Sequence, residues 1–272
     1  MINIFGAGFV GSAVAKLYPD AIINARDDYT IKSNDVVYFI STIDNYNVLT
    51  NPYIDIDTNL TTLMKVLESG RDNPDLVFNF ISSWFVYGEV ELPAAESSYC
   101  NPKGFYSITK RAAEQLIISY CETFHIKYRI IRLCNVVGVA DHKISAKKNA
   151  IQYMVGRIKN GESINLYDNG THTRDYIDVE DVARGIQLVV EKGNYNEIYN
   201  VGNGEPVRIG DVINYAVQAT NSTSEIIPVE PTHLHNVVQS QHFYADTTKL
   251  KNLGYVRQVP LWESIDRIIK ND

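Results

Sequence analysis

Short apolar runs alternate with amphipathic stretches of helical length in the first half of the chain. The runs predict strands at Ile2–Phe5, Ala21–Asn24, Val36–Ile40, Leu76–Ile81 and Tyr128–Leu133. The amphipathic stretches predict helices near Phe9–Tyr18, Asn59–Ser69 and Phe105–Phe124. This alternation is typical of a parallel sheet with helices on its faces. The segment between Asn24 and Val36 is too short for a crossover helix, so we expect one helix of the usual alternation to be missing.

The alternation loosens after Asn135. The pattern predicts helices at Ala146–Lys159, Val179–Glu191, Ile209–Thr220 and Leu261–Ile269, and a strand at Glu197–Val201. The stretch Asn221–Phe243 is polar and poor in β-forming residues, and no element is predicted there. We therefore predict an α/β protein whose doubly wound parallel sheet takes residues 1–135 and roughly 174–201. A smaller C-terminal portion, residues 136–173 and 202–272, would fold against the open edge of the sheet.

The composition is that of an ordinary soluble globular protein, and it argues against several partners. Hydrophobic residues make up 45% of the chain and charged residues 21%. With 25 basic and 32 acidic residues, a net charge of −7 and no basic run, a nucleic-acid partner is not expected. No apolar run approaches the ~20 residues that span a bilayer, so no membrane partner is expected. Cys100, Cys121 and Cys134 form no CxxC pair, which fits reduced thiols in the cytoplasm.

A glycine-rich segment, Gly6–Gly11, follows the first predicted strand and opens the first predicted helix. In this context Gly6 permits a tight turn, Gly8 leaves room for a pyrophosphate, and Gly11 lets the helix pack closely on the strand. The helix N-terminus then presents free N–H groups to the phosphates. The segment therefore predicts a dinucleotide site. The alternative is a glycine turn that serves packing alone.

The end of the second predicted strand bears on the choice of cofactor. An acidic residue at this position usually binds the ribose hydroxyls of the adenosine, but here the position is held by Asn24, with Arg26 just beyond it. This arrangement favours the 2′-phosphate of NADP. Alternatively, Arg26 is solvent-exposed and Asp27 or Asp28 binds the ribose. The sequence leaves NAD and NADP open.

Tyr106 and Lys110 are the most informative pair in the chain. Residues four apart share one face of a helix, so the phenol and the ammonium point into the same space. A lysine cation stabilises a phenolate and brings a tyrosine toward the pH at which it can act as a base. A chance helix pair is the alternative. However, the strands that end at Ser83 and at Asn135 should reach the same edge of the sheet, where ligands bind in such folds.

Together these motifs resemble, in order, those of the extended short-chain dehydrogenase/reductases. They are most similar to the NAD-dependent epimerase/dehydratase group that acts on nucleotide-sugars. The resemblance covers nearly the whole chain and implies a Rossmann fold, NAD or NADP as cofactor, a nucleotide-sugar substrate, a homodimer and no metal. The matching segments are Gly6–Gly11, Ser82-Ser83-x-x-Val86-Tyr87-Gly88, Tyr106-x-x-x-Lys110, Arg132-x-x-Asn135-Val136-x-Gly138, Arg174-Asp175-Tyr176-Ile177, Tyr199-Asn200-Val201-Gly202 and Ala245-Asp246-Thr247-Thr248-Lys249.

The resemblance also implies a role for each matching residue. Tyr106 would be the acid/base, Lys110 would lower its pKa and hold the nicotinamide ribose, and Ser83 would hydrogen-bond the reacting oxygen. The implied cofactor-binding residues are Gly6, Gly8, Phe9, Val10, Gly11, Asn24, Arg26, Ser41, Thr42, Asn59, Tyr106 and Lys110. The implied substrate-binding residues are Ser83, Trp84, Asn135, Arg174 and His235. For Arg174 the alternative is a plain surface ion pair with Asp175.

Departures from the family pattern narrow the reaction. Family members that catalyse 4,6-dehydration carry Asp-Glu directly after the catalytic hydroxyl residue, but this chain has Trp84-Phe85, so we do not expect a dehydratase. The leading hypothesis is an epimerase acting by transient hydride transfer, and C4 is the expected carbon. The alternative is an NADPH-dependent reductase of a 4-keto-deoxysugar nucleotide. A non-enzymatic NAD(P)-binding protein is less expected, because such proteins characteristically lose the tyrosine or the lysine.

Two further features of the resemblance concern the C-terminal portion and the assembly. Where the family usually has a substrate-binding arginine, this chain has His233-Leu234-His235-Asn236. A protonated His235 would bind a diphosphate, whereas the alternative is an exposed polar loop. The helices near Asn59–Ser69 and Phe105–Phe124 would form the dimer contact. Leu116, Ile117 and Tyr120 fit that contact, but they would equally serve an internal core.

Overall fold

The chain folds around a sheet of six parallel strands. The computed structural model describes residues 1–43, 45–139 and 149–271. Its strands are β1 (Ile2–Phe5), β2 (Ile22–Ile23), β3 (Asp35–Tyr38), β4 (Val77–Ser83), β5 (Lys127–Leu133), β6 (Asn135–Val137), β7 (Ile164–Tyr167), β8 (Thr173–Arg174), β9 (Tyr176–Asp178), β10 (Glu197–Val201), β11 (Val207–Arg208) and β12 (Ile226–Val229).

Helices cover both faces of this sheet. They are α1 (Phe9–Leu17), α2 (Tyr53–Ile56), α3 (Thr62–Ser69), α4 (Phe105–Thr123), α5 (Ala150–Lys159), α6 (Val179–Lys192), α7 (Ile209–Thr220), α8 (His233–Val238), α9 (Thr248–Asn252) and α10 (Leu261–Lys270). A π-helical turn at Asp57–Thr61 joins α2 to α3. Short 3₁₀ turns lie at Asn47–Leu49, Trp84–Val86 and Asp168–Gly170.

The strand order β10-β5-β4-β3-β1-β2 creates a crevice between β1 and β3. The chain leaves β1 to one side, forms β2, and returns to the other side of β1 as β3. In open α/β sheets, ligands bind beyond the carboxyl ends of the strands where the winding reverses in this way. The glycine turn after β1 and the residues after β3 both lie at that point. The fold therefore sets a ligand crevice over Gly6–Gly11.

The long helix α4 buries polar and apolar residues on one face. Tyr106, Lys110 and Glu114 follow each other at a spacing of four, and Ile117 and Cys121 continue the same face. A helix presents residues three and four apart on one side, so this stripe packs against the sheet. Its apolar half joins the core, whereas its polar half reaches the carboxyl ends of β4 and β5.

A separate hydrophobic core lies in the C-terminal portion. It joins α5, α7 and α10 with the parallel pair β7 and β12. Apolar residues at helical spacing, such as Ile151, Val155 and Ile158 on α5, turn one side of each helix into this core. The division of the chain into two portions, with the boundaries predicted above, stays a prediction.

Most of the predicted elements are confirmed, and the missing crossover helix is confirmed as well, because residues 24–34 contain no helix. The predicted helix at Asn59–Ser69 begins instead with the π-helical turn. No helix or strand was predicted within Asn221–Phe243, but this stretch holds β12 and α8. Of the helix predicted at Ala146–Lys159, residues 146–148 lie outside the described residues.

Candidate active site

A cavity of about 1480 Å³ runs from the glycine turn, across the carboxyl ends of β4 and β5, to β7 in the C-terminal portion. Pockets for one small ligand usually measure about 300–1,000 Å³. This cavity therefore has room for a dinucleotide and a second ligand end to end. One end is lined by the glycine turn after β1, and the other end by residues of α5, β7 and α8.

The glycine turn has the geometry that a phosphate cradle needs. Gly6 has a φ of 91°, which a residue with a side chain rarely adopts. A Cβ added to Gly8 would meet nothing within 4 Å, so the space above the N-terminus of α1 is open. Both residues line the cavity, together with Phe9, Val10 and Gly11. The turn is shaped for an anion at the helix N-terminus.

Asn24 does not line the cavity. Its side chain is buried, where it accepts a hydrogen bond from Asn3 Nδ2 at 2.6 Å and donates to the carbonyl oxygens of Asp28 (3.0 Å) and Thr30 (2.9 Å). Asn24 thus shapes the loop after β2 from behind. The structure does not support the prediction that this amide contacts the cofactor.

Arg26, by contrast, is exposed and lies on the cavity wall. The two acidic residues that could replace it are engaged elsewhere. Asp27 accepts a hydrogen bond from the hydroxyl of Tyr29 at 3.1 Å, and Asp28 pairs with Lys32 at 2.5 Å. Neither aspartate lines the cavity. Of these three charged side chains, only the cationic Arg26 therefore lines the cavity at the end where the adenosine is expected.

Asn59, like Asn24, lies behind the residues that line the cavity. Its Oδ1 accepts from Ser41 Oγ at 3.0 Å and from the backbone N–H of Thr42 at 2.8 Å. Its Nδ2 donates to the hydroxyls of Thr42 and Thr109, each at 2.8 Å. Ser41 and Thr42 themselves line the cavity. The π-helical turn thus places Asn59 where it orients these two hydroxyls, and it is not itself on the wall.

Ser83, Tyr106 and Lys110 all line the middle of the cavity. Lys110 is only 2% exposed; its Nζ donates to the carbonyl oxygen of Ile81 at 2.5 Å and lies 4.1 Å from the centre of the Phe80 ring. Burial lowers the pKa of Lys110 to about 7. The hydroxyl of Ser83 accepts a hydrogen bond from the backbone N–H of Phe85 at 3.3 Å.

Aromatic side chains form the wall beside Tyr106. The ring of Phe85 meets the Tyr106 ring edge to face at 6.1 Å and stacks on Trp84 at 4.0 Å. Trp84 also stacks on Phe243 at 4.6 Å and lies 5.1 Å from the guanidinium of Arg174. Where dehydratases carry carboxylic acids, this chain therefore presents an apolar surface.

Arg174 is buried without an acidic partner. It is 6% exposed, and its Nη1 donates to the carbonyl oxygens of Thr173 (2.8 Å) and Gln241 (3.0 Å). Burial lowers its pKa. Asp175 points elsewhere: its carboxylate accepts from the backbone N–H groups of Asn203 and Gly204. Within the described parts of the chain no ion pair involves Arg174, so the surface-pair alternative is wrong.

Asn135 adds a second polar group to this end of the cavity. Its side-chain Nδ2 is buried and finds no hydrogen-bond partner among the described residues, although the residue lines the cavity. A buried donor left without a partner costs free energy, which a bound acceptor would recover. Asn135 and Arg174 therefore form a pair of donors suited to an anionic ligand.

His235 lies on the cavity wall within α8, so the exposed-loop alternative is wrong for this residue. Its Nδ1 is 2.9 Å from the hydroxyl of Tyr46, and its ring lies 4.5 Å from that of Tyr167. Burial, with the nearby charges of His172 and Arg174, lowers the pKa of His235 to about 4. It is therefore neutral at neutral pH, unlike the protonated form that the sequence argument required.

Several lining residues were not found from the sequence, among them Tyr46, Gln152, Tyr153 and Tyr167. They come from the segment after β3 and from α5 and β7, which reach the cavity only through the tertiary fold. Neither their spacing nor their residue types would have singled them out.

The charge of the cavity differs from that of the whole chain. Among its described lining residues there is no aspartate or glutamate, whereas Arg26, Lys110, Arg157 and Arg174 all contribute to the wall. The chain as a whole carries −7. A crevice lined by one sign of charge attracts the opposite sign, so the cavity is built for anionic ligands.

A doubly wound sheet with a glycine turn at its switch point defines a dinucleotide-binding protein. The chain belongs to the NAD dependent epimerase/dehydratase family, whose model matches residues 24–202. It is therefore an NAD-dependent enzyme of the epimerase and dehydratase type. The resemblance stated from the motifs is thereby confirmed. No helix in the described residues has the length and apolar character that would let it cross a bilayer.

Curated relatives and solved structures agree with this assignment. A putative UDP-glucose 4-epimerase of Methanocaldococcus jannaschii is 27% identical over 266 residues, which is 97% of this chain and 83% of that protein. A low-salt glycan biosynthesis protein of Haloferax volcanii is 30% identical over 202 residues, or 74% of this chain; the match spans only 63% of that protein.

Two solved structures show the same fold. The UDP-glucose 4-epimerase of Thermotoga maritima, solved with UDP-glucose, has a TM-score of 0.89 at 22% identity and covers 99% of this chain and 97% of its own. The protein RMD of Pseudomonas aeruginosa, complexed with NADPH, has a TM-score of 0.84 at 19% identity, with 98% and 97% covered. These likenesses confirm the predicted Rossmann-type fold.

Proposed function

We propose that the protein is a nucleotide-sugar epimerase that works by transient hydride transfer at one sugar carbon, C4, with Ser83, Tyr106 and Lys110 as its reacting site. One observation carries the proposal. These three residues line a single cavity with the glycine turn, and the described lining holds no carboxylate. Tyr106 is then the acid/base available beside the cofactor crevice.

Each residue has a defined task in this reaction. Tyr106 removes the proton of the sugar hydroxyl, and the bond electrons of that O–H form the carbonyl. A dinucleotide bound over the glycine turn would supply the acceptor, and later the donor, of the hydride at the same carbon. Lys110 stabilises the phenolate, and Ser83 donates to the reacting oxygen. After the keto-sugar turns, Tyr106 gives the proton back, so no net oxidation occurs.

The far end of the cavity suits the diphosphate of the substrate. Arg174 is a desolvated cation without a carboxylate, and burying such a charge is costly unless a partner compensates it. A guanidinium matches phosphate oxygens well. Asn135 supplies an unpartnered N–H, and His235 supplies a neutral ring. We infer that Arg174 and Asn135 hold the diphosphate, that the neutral ring of His235 lines the same end of the cavity, and that Trp84 packs against the sugar beside it.

A second candidate is an NADPH-dependent reductase of a 4-keto-deoxysugar nucleotide. Its specific support is the cofactor end of the cavity, where Arg26 is on the wall while Asp27 and Asp28 are bonded elsewhere. A 2′-phosphate would find a cation there and no repelling acid. In this reading Tyr106 gives a proton to the carbonyl oxygen and the reaction stops after one hydride transfer.

Two assays separate these candidates. An epimerase should interconvert UDP-glucose and its C4 epimer without net consumption of nicotinamide cofactor. A reductase should oxidise one NADPH for each 4-keto-6-deoxy sugar nucleotide reduced. If the folded protein binds cofactor but turns over neither class of substrate, both proposals fail.

We also propose a homodimer in which α4 and the helical segment through Asn59–Ser69, with α2 directly before it, pair with the same elements of a second chain. Apolar side chains are exposed on two of these helices: Tyr53 and Ile56 on α2, and Phe105, Ile108 and Leu116 on α4. Contiguous exposed apolar surface usually marks an interface. The other two side chains considered for the contact, Ile117 and Tyr120, belong to the core instead. Light scattering of the purified protein should give twice the chain mass, and a monomer would contradict the proposal.

The three cysteines have no disulfide partners among the described residues. We therefore keep the cytoplasm as the proposed location, because reduced thiols persist there.

A further inference from the structure

Glu114 is a fully buried carboxylate that the reaction described above does not use. It accepts a hydrogen bond from Ser82 Oγ at 2.6 Å and two from Arg132, from Nε at 3.0 Å and from Nη2 at 2.8 Å. Arg111, one turn earlier on α4, donates to it at 2.7 Å. Such a group is satisfied and ionised, so it is costly to disturb.

The partners of Glu114 lie at the edge of the sheet where the reacting groups stand. Ser82 on β4 and Arg132 on β5 face each other across the two strands. By binding both, Glu114 ties α4 to the carboxyl ends of these strands. The residue after Ser82 is Ser83, so a shift of this tie would move the hydroxyl that faces the substrate.

Lys110, one helical turn before Glu114, makes a second tie between α4 and β4. Its Nζ binds the carbonyl oxygen of Ile81, the residue before Ser82. Two neighbours on one helix face therefore hold two consecutive residues of β4. This double tie fixes the spacing between the helix that carries Tyr106 and the strand that carries Ser83. Reacting groups must be held within a fraction of an ångström, so such support matters for rate.

The charges of Lys110 and Glu114 also influence each other. Burial lowers the pKa of Lys110, and Glu114 is the charged side chain that acts in the opposite direction. Burial alone would raise the pKa of Glu114, but the hydrogen bonds and charge of Arg132, with Ser82 and Arg111, hold it below its ordinary value. The carboxylate thus stays ionised and favours the charged form of Lys110.

We propose that Glu114 is a positioning residue for the reaction: through Ser82 and Arg132 it holds the end of β4, and with it Ser83, against the helix that carries Tyr106 and Lys110. The inference rests on the proposed function, because it assigns Glu114 to the support of that site. Glu114 itself lies outside the cavity lining and touches neither substrate nor cofactor.

The test compares Glu114→Gln with Glu122→Gln, an exposed position on the same helix. The substrate is UDP-glucose, or a 4-keto-6-deoxy sugar nucleotide with NADPH, whichever the protein turns over. We expect kcat of Glu114→Gln to fall about 10- to 100-fold while KM changes little. The alkaline limb of its pH profile should move to lower pH by about one unit, because Lys110 loses its proton earlier. Glu122→Gln should match the wild type.

Glu114→Asp keeps the charge and should keep the alkaline limb in place even if kcat falls. A uniform loss at every pH in Glu114→Gln, with no displaced limb, would reduce Glu114 to a structural residue and overturn the inference. If Glu114→Gln does not fold, Ser82→Ala decides, since it removes one tie and leaves the Arg132 pair intact. Wild-type kcat in folded Ser82→Ala would then sink the inference.

A Tyr106→Phe variant, measured alongside, distinguishes a failure of the role of Glu114 from a failure of the proposed function. An inactive Tyr106→Phe with an unaffected Glu114→Gln would overturn the role of Glu114 alone. An active Tyr106→Phe would overturn the proposed function itself.

Discussion

Gly11 packs so closely on Gly6 that a Cβ at Gly11 would stand 2.2 Å from the carbonyl oxygen of Gly6. The first turn of α1 therefore rests directly on the end of β1. Gly8, between them, has no such neighbour, and its Cβ would enter open space. The same motif thus contains one glycine required by the fold and one that leaves room for a ligand.

This contrast predicts opposite effects for two alanine variants. Gly11→Ala should destabilise the protein by about 1–3 kcal/mol, because backbone must move to admit the methyl group. Gly8→Ala should leave the unfolding free energy near that of the wild type but weaken cofactor binding, since the methyl group occupies the space above the helix N-terminus. Thermal unfolding and cofactor titration would measure the two effects. Equal cofactor affinity in Gly8→Ala and wild type would contradict this use of the turn.

Tyr106→Phe tests the acid/base assignment. Removing the hydroxyl should lower turnover by about 2–4 orders of magnitude, because the proton of the sugar hydroxyl loses its acceptor. Cofactor binding should stay near normal, since the ring and its contact with Phe85 remain. Steady-state kinetics and cofactor fluorescence give the two readouts. Turnover like that of the wild type would remove Tyr106 from the mechanism.

Arg174→Met should weaken substrate binding without lowering the stability of the fold. The buried guanidinium has no carboxylate to compensate it, so an apolar side chain of similar length should leave the unfolding free energy unchanged or raise it. The KM for the nucleotide-sugar should rise about 10- to 100-fold, the loss expected for hydrogen bonds to a charged group. Arg257→Met, at an exposed position paired with Glu205, serves as the control. A stable variant with unchanged KM would show that Arg174 does not hold the diphosphate.

Arg26→Ala tests the choice between NAD and NADP. Loss of the cation should weaken NADP binding about 10- to 100-fold and leave NAD binding nearly unchanged, because only NADP carries the 2′-phosphate. Calorimetric titration with both nucleotides measures the ratio. Were the two affinities to fall together, Arg26 would be contributing general attraction without recognising the phosphate.

His235 should make stability depend on pH. Its pKa is about 4 in the fold and 6.5 without the fold, so the unfolded chain takes up this proton first as the pH falls. The unfolding free energy should therefore decline between pH 6.5 and about 4. The pKa of His172 is also lowered by burial, which adds to the same decline. Denaturant titrations across this range measure it.

A matched pair of variants assigns the effect. His235→Gln should flatten the decline, whereas His233→Gln, exposed two residues earlier on α8, should not. Identical pH profiles for the two variants would contradict the burial argument.

The central sheet could be predicted because its inner strands are short, mostly apolar runs. Every residue of β4 is buried, so its residues alone predict a strand, without information about the neighbouring strands. β12 was missed because Ile226–Val229 contains a proline and lies half-exposed. Its strand conformation depends on pairing with β7, which is distant in sequence. Local propensity therefore gave no indication of a strand.

Residues of the candidate site could be predicted where a sequence motif determines both the type of residue and the helix or strand on which it lies. Asn24 was assigned to the cofactor because it holds the strand-end position that usually binds the adenosine ribose, and Asn59 was assigned by the resemblance to the family. Their amides turn instead to nearby backbone and hydroxyl groups, which compete with any ligand. Glu114 carried a readable signal, since it continues the spacing of Tyr106 and Lys110 by one more turn. That spacing would have placed it on the buried face.

The two-residue strand β2 is the outer edge of the sheet, and no helix follows it before β3. The adenosine half of a bound dinucleotide would rest against this short edge and stay close to water. We expect that little has to move for the nucleotide to leave, so exchange with the surrounding solution should be fast.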